Sequence, residues 1–258
     1  MQTILNSKPR ISIVSYTNTL PFRIGIETSP VFQKNAHITY DNPATCAKKV
    51  LNDEADIGLI PVGVLSQMDD YHIIGNYCIG AKGRVDTVKL YGEVPVEEMS
   101  SIVLDYQSGT SVKLIKYLTE NYWHIAPEFL NGSHGFELRD IEGTRGGVVI
   151  GDRTFELDKQ FPYKYDLSEV WWQHTGLPFV FAVWVSKTPL SGDLENLFNH
   201  ALEQGIDRIN QIANEYQHLV PAGIDLDTYL TNRIDYKLDS DKRKAMDIFL
   251  DYLKSVPV

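Results

Sequence analysis

Apolar positions in the first half of the chain fall into short runs separated by helical stripes. Ile11 to Ser15 reads as a buried strand, and the polar run Tyr16-Thr17-Asn18-Thr19 leads from it into a helix. His37 to Tyr40 predicts a second strand. Asn42-Pro43 has the form of an N-cap followed by a first helical residue, so a helix is expected through Leu51. A third strand, Asp56 to Ile60, stops at Pro61. This β-α-β-α-β order predicts a parallel sheet with its strand C-terminal ends gathered at one edge.

A second set of elements follows. Val85 to Tyr91 reads as extended, Ser101 to Leu104 as a buried strand, and Gly147 to Ile150 and Leu177 to Val185 as further strands. Val112, Leu114, Ile115, Leu118 and Tyr122 form a helical stripe over Ser111 to Trp123. Beyond that the pattern is helical throughout, with one long helix carrying Leu194 to Ile212 and a last one carrying Ala245 to Leu253. The expected fold is α/β and two-lobed. Residues 1–84 with 186–258 form a discontinuous first lobe, and 85–185 form the second. Extended segments near Lys82 to Thr87 and Val183 to Lys187 make a two-segment hinge, and the helical tail packs on the first lobe.

With 43% hydrophobic and 22% charged residues, the chain can bury a core of ordinary globular size. No apolar run approaches the roughly 18 residues of a membrane span, so no membrane partner is expected. Met1 to Arg10 lacks a basic head, an apolar stretch and a small-residue cleavage site, which predicts a cytoplasmic protein. Cys46 and Cys78 are far apart and suit reduced thiols. A net charge of −10 disfavours nucleic acid as a partner. It leaves room for a small anion in a locally positive cleft.

Ligands of open parallel sheets gather beyond the strand C-termini, and three segments fall there. Ser15-Tyr16-Thr17-Asn18-Thr19-Leu20-Pro21 offers consecutive hydrogen-bonding side chains, although Ser, Thr and Asn also serve there as ordinary helix caps. Asp105-Tyr106-Gln107-Ser108-Gly109-Thr110-Ser111 opens a helix, where N–H groups and the positive end of the macrodipole suit a carboxylate. Pro61-Val62-Gly63 is the third. The glycines Gly143, Gly146, Gly147 and Gly151 do not form a dinucleotide fingerprint, and the seven histidines show no metal-ligand spacing. Trp171-Trp172 reads as core or hinge packing. The residues by themselves imply a two-lobed protein that binds a small polar molecule, without naming a reaction.

Several blocks, in order, carry a resemblance: Val14 to Pro21, Ala55 to Val62, Cys78-Ile79-Gly80-Ala81, Leu104-Asp105 with Ser108 and Thr110-Ser111-Val112, Ile150-Gly151-Asp152, and Tyr165 through Ala182. Through them the chain resembles the chorismate dehydratases of the futalosine route to menaquinone. The resemblance implies a fold like the type II periplasmic binding proteins, no cofactor and no metal. The implied reaction converts chorismate, a dianion, into 3-[(1-carboxyvinyl)oxy]benzoate and water. It implies a catalytic Asn18. Substrate contacts are expected from Ser15, Tyr16, Thr19, Pro61, Gly80, Thr87, Ser108, Gly109, Thr110, Ser111, Asp152 and Phe179. An amide is no base at neutral pH, so the substrate's own enolpyruvyl carboxylate is expected to take the ring proton.

The chain departs from the family pattern at Gly109, where a basic residue is common, and at Thr87 and Gly92, near which serines are common. Carboxylate binding is then expected from backbone amides or from Arg23, Lys82, Arg84, Arg145 or Arg153. Two other readings stand beside this one. The sister enzyme forming 1,4-dihydroxy-6-naphthoate carries a His-Glu pair where this chain has Gly151-Asp152. A non-catalytic small-anion-binding protein would bind chorismate and leave it unchanged.

Overall fold

The computed structural model describes residues 8–255, so most of the N-terminal stretch read for an export signal lies outside the described residues. Eleven strands form among them: β1 (Arg10–Val14), β2 (His37–Asp41), β3 (Ile57–Pro61), β4 (His72–Ala81), β5 (Val88–Gly92), β6 (Ser101–Leu104), β7 (Glu128–Asn131), β8 (Arg145–Ile150), β9 (Tyr163–Asp166), β10 (Phe179–Ser186) and β11 (Asp235–Lys237). They build two sheets, ordered β11-β4-β10-β3-β1-β2 and β7-β6-β8-β5-β9. The predicted parallel start is present, since β1 pairs in parallel with both β2 and β3. Every residue of β3 and β10 is buried, as expected for strands covered on both faces.

Local chemistry sets the helix starts. The Asn42 side chain accepts a hydrogen bond from Thr45 N at 2.9 Å, with Pro43 behind it, and opens the helix Pro43–Leu51. Asp166 caps Leu167–Thr175 by accepting from Ser168 N and Glu169 N, and Gly176 closes that helix at φ 68°. The same carboxylate accepts from Val85 N and Asp86 N on the first crossing between lobes.

Three expectations change. The strand β10 belongs to the first sheet, antiparallel to β3 and β4, and not to the second lobe. Its all-apolar sequence reports burial but cannot say beneath which helices. The second crossing therefore precedes β10, and Val183 to Ser186 is strand rather than hinge, with Lys187 just past its end. The single long helix is two, Gly192–Ile206 and Ile209–Tyr216, broken at Asp207-Arg208. The tail is not wholly helical, because β11 adds to the edge of the first sheet beside β4.

The tail packs on the first lobe through a glycine pair. A Cβ at Gly205 would stand 1.8 Å from Pro21 O, and one at Gly25 would stand 2.1 Å from Ala201 O. The helices Leu20–Thr28 and Gly192–Ile206 thus meet backbone to backbone, which fixes the helix that follows Asn18. The final helix, Ser240–Ser255, also reaches the second lobe, with Tyr252 donating to Glu120 at 2.7 Å.

Candidate active site in the cleft

The chain leaves the ends of β1 and β3 into the space between the two sheets. A cavity lies there with about 550 Å³ of free space, its mouth included. From the first lobe it is lined by Tyr16, Asn18, Thr19 and Pro61, and from the second by Thr87, Ser108, Thr110 and Ser111. Val14, Leu59, Ile79, Val85, Ile150 and Phe181 supply an apolar wall.

The two rims touch. Tyr16 donates to Gln107 Oε1 at 2.5 Å, and Thr17 Oγ1 donates to Asp152 Oδ1 at 2.6 Å. Gly63 N donates to Thr110 Oγ1 at 3.1 Å, and Lys113 Nζ donates to Gly63 O at 2.6 Å. Burial lowers the Lys113 ammonium from its ordinary value, and burial raises the Asp152 carboxyl. These four contacts bridge the two lobes across the cleft.

Asn18 sits half-buried after β1. Its carbonyl accepts from the Tyr236 hydroxyl at 2.9 Å, which anchors its backbone. Its side-chain Oδ1 is buried with no hydrogen-bond partner in the protein. A buried amide oxygen in that state carries a cost that a ligand donor would remove. Across the cavity, Ser108 Oγ accepts from Ser111 N at 2.8 Å and opens the helix Ser111–Asn121. Ser111 itself is buried and faces the cavity.

The lining is also notable for what it offers in acid–base terms. Among the described residues it contains no carboxylate, imidazole, ammonium, guanidinium or thiol. Tyr16 is its one titratable side chain, and burial raises that phenol above its ordinary value. Thr19 is structural, its hydroxyl held by the carbonyls of Val14 and Tyr16 at 2.5 and 2.8 Å.

Five of the residues expected at the substrate fall off the lining. Ser15 is exposed and ties β1 to β2 through its N–H to Asp41 O. Gly80 faces the tail, where a Cβ would meet Phe179 O at 3.0 Å and Lys242 Cδ at 3.2 Å. Phe179 is 1% exposed and packs edge-on against Trp171, Phe181 and Phe249. Gly109 abuts Val64 and Pro61 at the rim, and Asp152 latches onto Thr17. Alternation along a strand decides which face a residue serves, and a matching block of sequence does not reveal it.

Four of the five basic candidates have other partners. Arg23 pairs with Glu27 and lies over the Tyr40 ring, Lys82 lies over Trp172, and Arg84 pairs with Asp86. Arg153 is held by Asp105 and Glu137. Arg145 begins β8, at the strand end away from the cavity. Gln107 lies in the second candidate segment, whereas Lys113, Tyr229 and Tyr236 are not among the candidates read from sequence. Lys113 stands in the first turn of the predicted helix, a position that points to the same rim.

Comparison with known proteins gives the fold and the family. A chorismate dehydratase of Thermus thermophilus is 27% identical over 232 residues, covering 82% of this chain and 84% of the relative. A solved structure from Archaeoglobus fulgidus is similar with a TM-score of 0.71 at 14% identity, covering 96% of this chain and 97% of that one. A Candida albicans protein with the generic periplasmic binding protein fold has a TM-score of 0.68 at 9% identity, over 97% and 91% of the two chains. The aliphatic sulphonate binding protein of Escherichia coli has a TM-score of 0.61 at 11% identity, over 95% and 85%. These neighbours establish a periplasmic-binding-protein-like fold. A family model described as menaquinone biosynthesis matches residues 9–255, and the chain belongs to that family.

Proposed function

We propose that the chain is a hydro-lyase that converts chorismate to 3-[(1-carboxyvinyl)oxy]benzoate and water for menaquinone biosynthesis. One observation carries the reading: a cavity between the lobes whose polar lining is hydroxyls and one amide with a buried, unpartnered oxygen, and whose lining, among the described residues, holds no carboxylate, imidazole or amine to remove a proton. The substrate then has to supply its own base. Its enolpyruvyl carboxylate takes the proton from the ring carbon bearing the ether, and the hydroxyl leaves the adjacent carbon. The C–H and C–O bonds break, a ring double bond forms, and proton and hydroxide combine as water. No electrons are exchanged with a partner, and aromatisation drives the step. The bridged rims fix the carboxylate against the ring.

Asn18 binds the departing hydroxyl through its amide. Ser108, Ser111 and the amides opening the helix Ser111–Asn121 hold a carboxylate from the other lobe. The sister reaction would need a base where Gly151 stands. That residue has φ 70°, and a Cβ there would meet the Tyr16 ring at 3.0 Å.

The test is to mix catalytic amounts of purified protein with chorismate and follow the products by liquid chromatography and mass spectrometry. Many turnovers to the aromatic ether are expected. Saturable binding with chorismate left intact would overturn the proposal in favour of a binding protein. Within the same reading, Ser111→Ala removes one hydroxyl from a carboxylate site remote from the reacting bonds. KM is expected to rise about tenfold with kcat little changed, since hydrogen bonds to charged groups contribute about 1.5–3 kcal/mol. A fall in kcat at constant KM would place Ser111 at the chemistry instead.

A further inference from the structure

The tail reaches the cavity from behind. Tyr229, on the helix Leu226–Asn232, is 4% exposed, and its hydroxyl lies 2.8 Å from Thr87 Oγ1. The Asn18 side chain lies beside the same hydroxyl. Tyr229 is therefore the point where a residue of the first lobe and a residue of the inter-lobe crossing meet, although its own ring stands outside the cavity lining. Thr87 is 1% exposed, its carbonyl accepts from Gly151 N at 2.9 Å, and its hydroxyl has otherwise only the Val85 carbonyl at 3.5 Å. That last contact is too long to hold the Thr87 proton. The Phe155 ring packs edge-on against Tyr229 at 5.4 Å, so the ring is located independently of the hydroxyl.

We infer that Tyr229 is a positioning residue for the proposed dehydration, orienting Thr87 Oγ1 and the Asn18 amide as one unit against the departing hydroxyl. Asn18 and Thr87 both line the cavity, and Tyr229 stands behind them. A Tyr229 hydroxyl that donates to Thr87 Oγ1 frees the Thr87 proton to point at the substrate. The departing hydroxyl then accepts from Thr87 Oγ1 and from the Asn18 amide N–H, the two donors that its growing negative charge strengthens. Burial raises the Tyr229 phenol above its ordinary value, which keeps this donor protonated at every pH at which the protein is handled.

This inference rests on the proposed dehydratase reading, and the experiment separates the two failures. Steady-state kinetics on chorismate are measured for the unsubstituted protein, Tyr229→Phe, Thr87→Val and the double variant, with thermal unfolding of each. Tyr229→Phe keeps the ring and removes only the hydroxyl. Its kcat is expected to fall about tenfold with KM within about twofold, the rate equivalent of one buried hydrogen bond. Thr87→Val is expected to lose at least as much, and the double variant to be no worse than Thr87→Val, because the two hydroxyls act through one contact. If the unsubstituted protein does not turn chorismate over, the functional reading fails. If it does, unchanged kcat in Tyr229→Phe or multiplying losses in the double variant overturns the positioning role. Should Tyr229→Phe not fold, Thr87→Val decides alone, and an unchanged kcat there overturns it.

Discussion

Asn18→Ala lowers kcat/KM for chorismate by about 10²- to 10³-fold, the range for removing one preorganised polar group from a water-excluded site. The fall is expected in kcat, because the contact strengthens as negative charge gathers on the departing hydroxyl. The fold should hardly notice. The side-chain Oδ1 has no partner within the protein, and the bond from Tyr236 to the Asn18 carbonyl does not need the side chain. Unfolding midpoints of the two proteins should therefore nearly coincide. Asn18→Asp tests the same contact by charge. It retains the shape but sets an anion in a neutral cavity that receives a dianion, so KM should rise as well as kcat fall. Turnover close to that of the unsubstituted protein in Asn18→Ala would remove this residue from the mechanism.

The two rims of this cavity were legible from sequence, and the reason is topological. Ligand sites follow strand C-termini in parallel sheets, and β1, β3 and the helix Ser111–Asn121 could each be read from local periodicity and caps. What could not be read is direction and company. Gly80 and Phe179 lie in matching blocks, yet one faces Lys242 and the other enters an aromatic cluster. The strands β7 and β9 were missed because they are polar and partly exposed, without the apolar signature of β6 or β10. Tyr229 and Tyr236 gave no signal at all. Their partners lie 142 and 218 positions away, and only the closed fold brings them together.

The acidic balance of the chain meets its anionic ligand in a related way. A guanidinium or ammonium in the lining would be the obvious device, yet none of the basic candidates lines the cavity, and Arg153 shows why. Its guanidinium contacts Asp105 at 2.5 Å and Glu137 at 3.1 Å and lies over the Tyr106 ring. Asp105 also accepts from Gln107 N at 2.8 Å and Ile150 N at 2.9 Å. This carboxylate therefore ties the loop carrying Gln107 and Ser108 to the end of β8, and Arg153 offsets its charge. The rim that meets Tyr16 is built on an ion pair.

Arg153→Met is expected to cost about 3–5 kcal/mol of stability at pH 7, the range for leaving a buried charge without its partner. The Asp105 side chain is fully buried, whereas Arg153 is one-quarter exposed, so the lower end of that range applies. The loss should depend on pH in a defined direction. Burial already raises the Asp105 carboxyl above its ordinary 3.8, with Arg153 opposing the rise. Without Arg153 the folded-state value rises further while the unfolded value stays. A folded state that holds the proton more tightly gains stability as pH falls through its own value toward the unfolded one. The deficit of Arg153→Met relative to the unsubstituted protein should therefore be largest at neutral pH and shrink on acidification toward pH 4. Urea unfolding of both proteins across that interval measures it. A deficit that stays constant with pH would mean that Arg153 acts through packing on Tyr106 and not through the charge of Asp105.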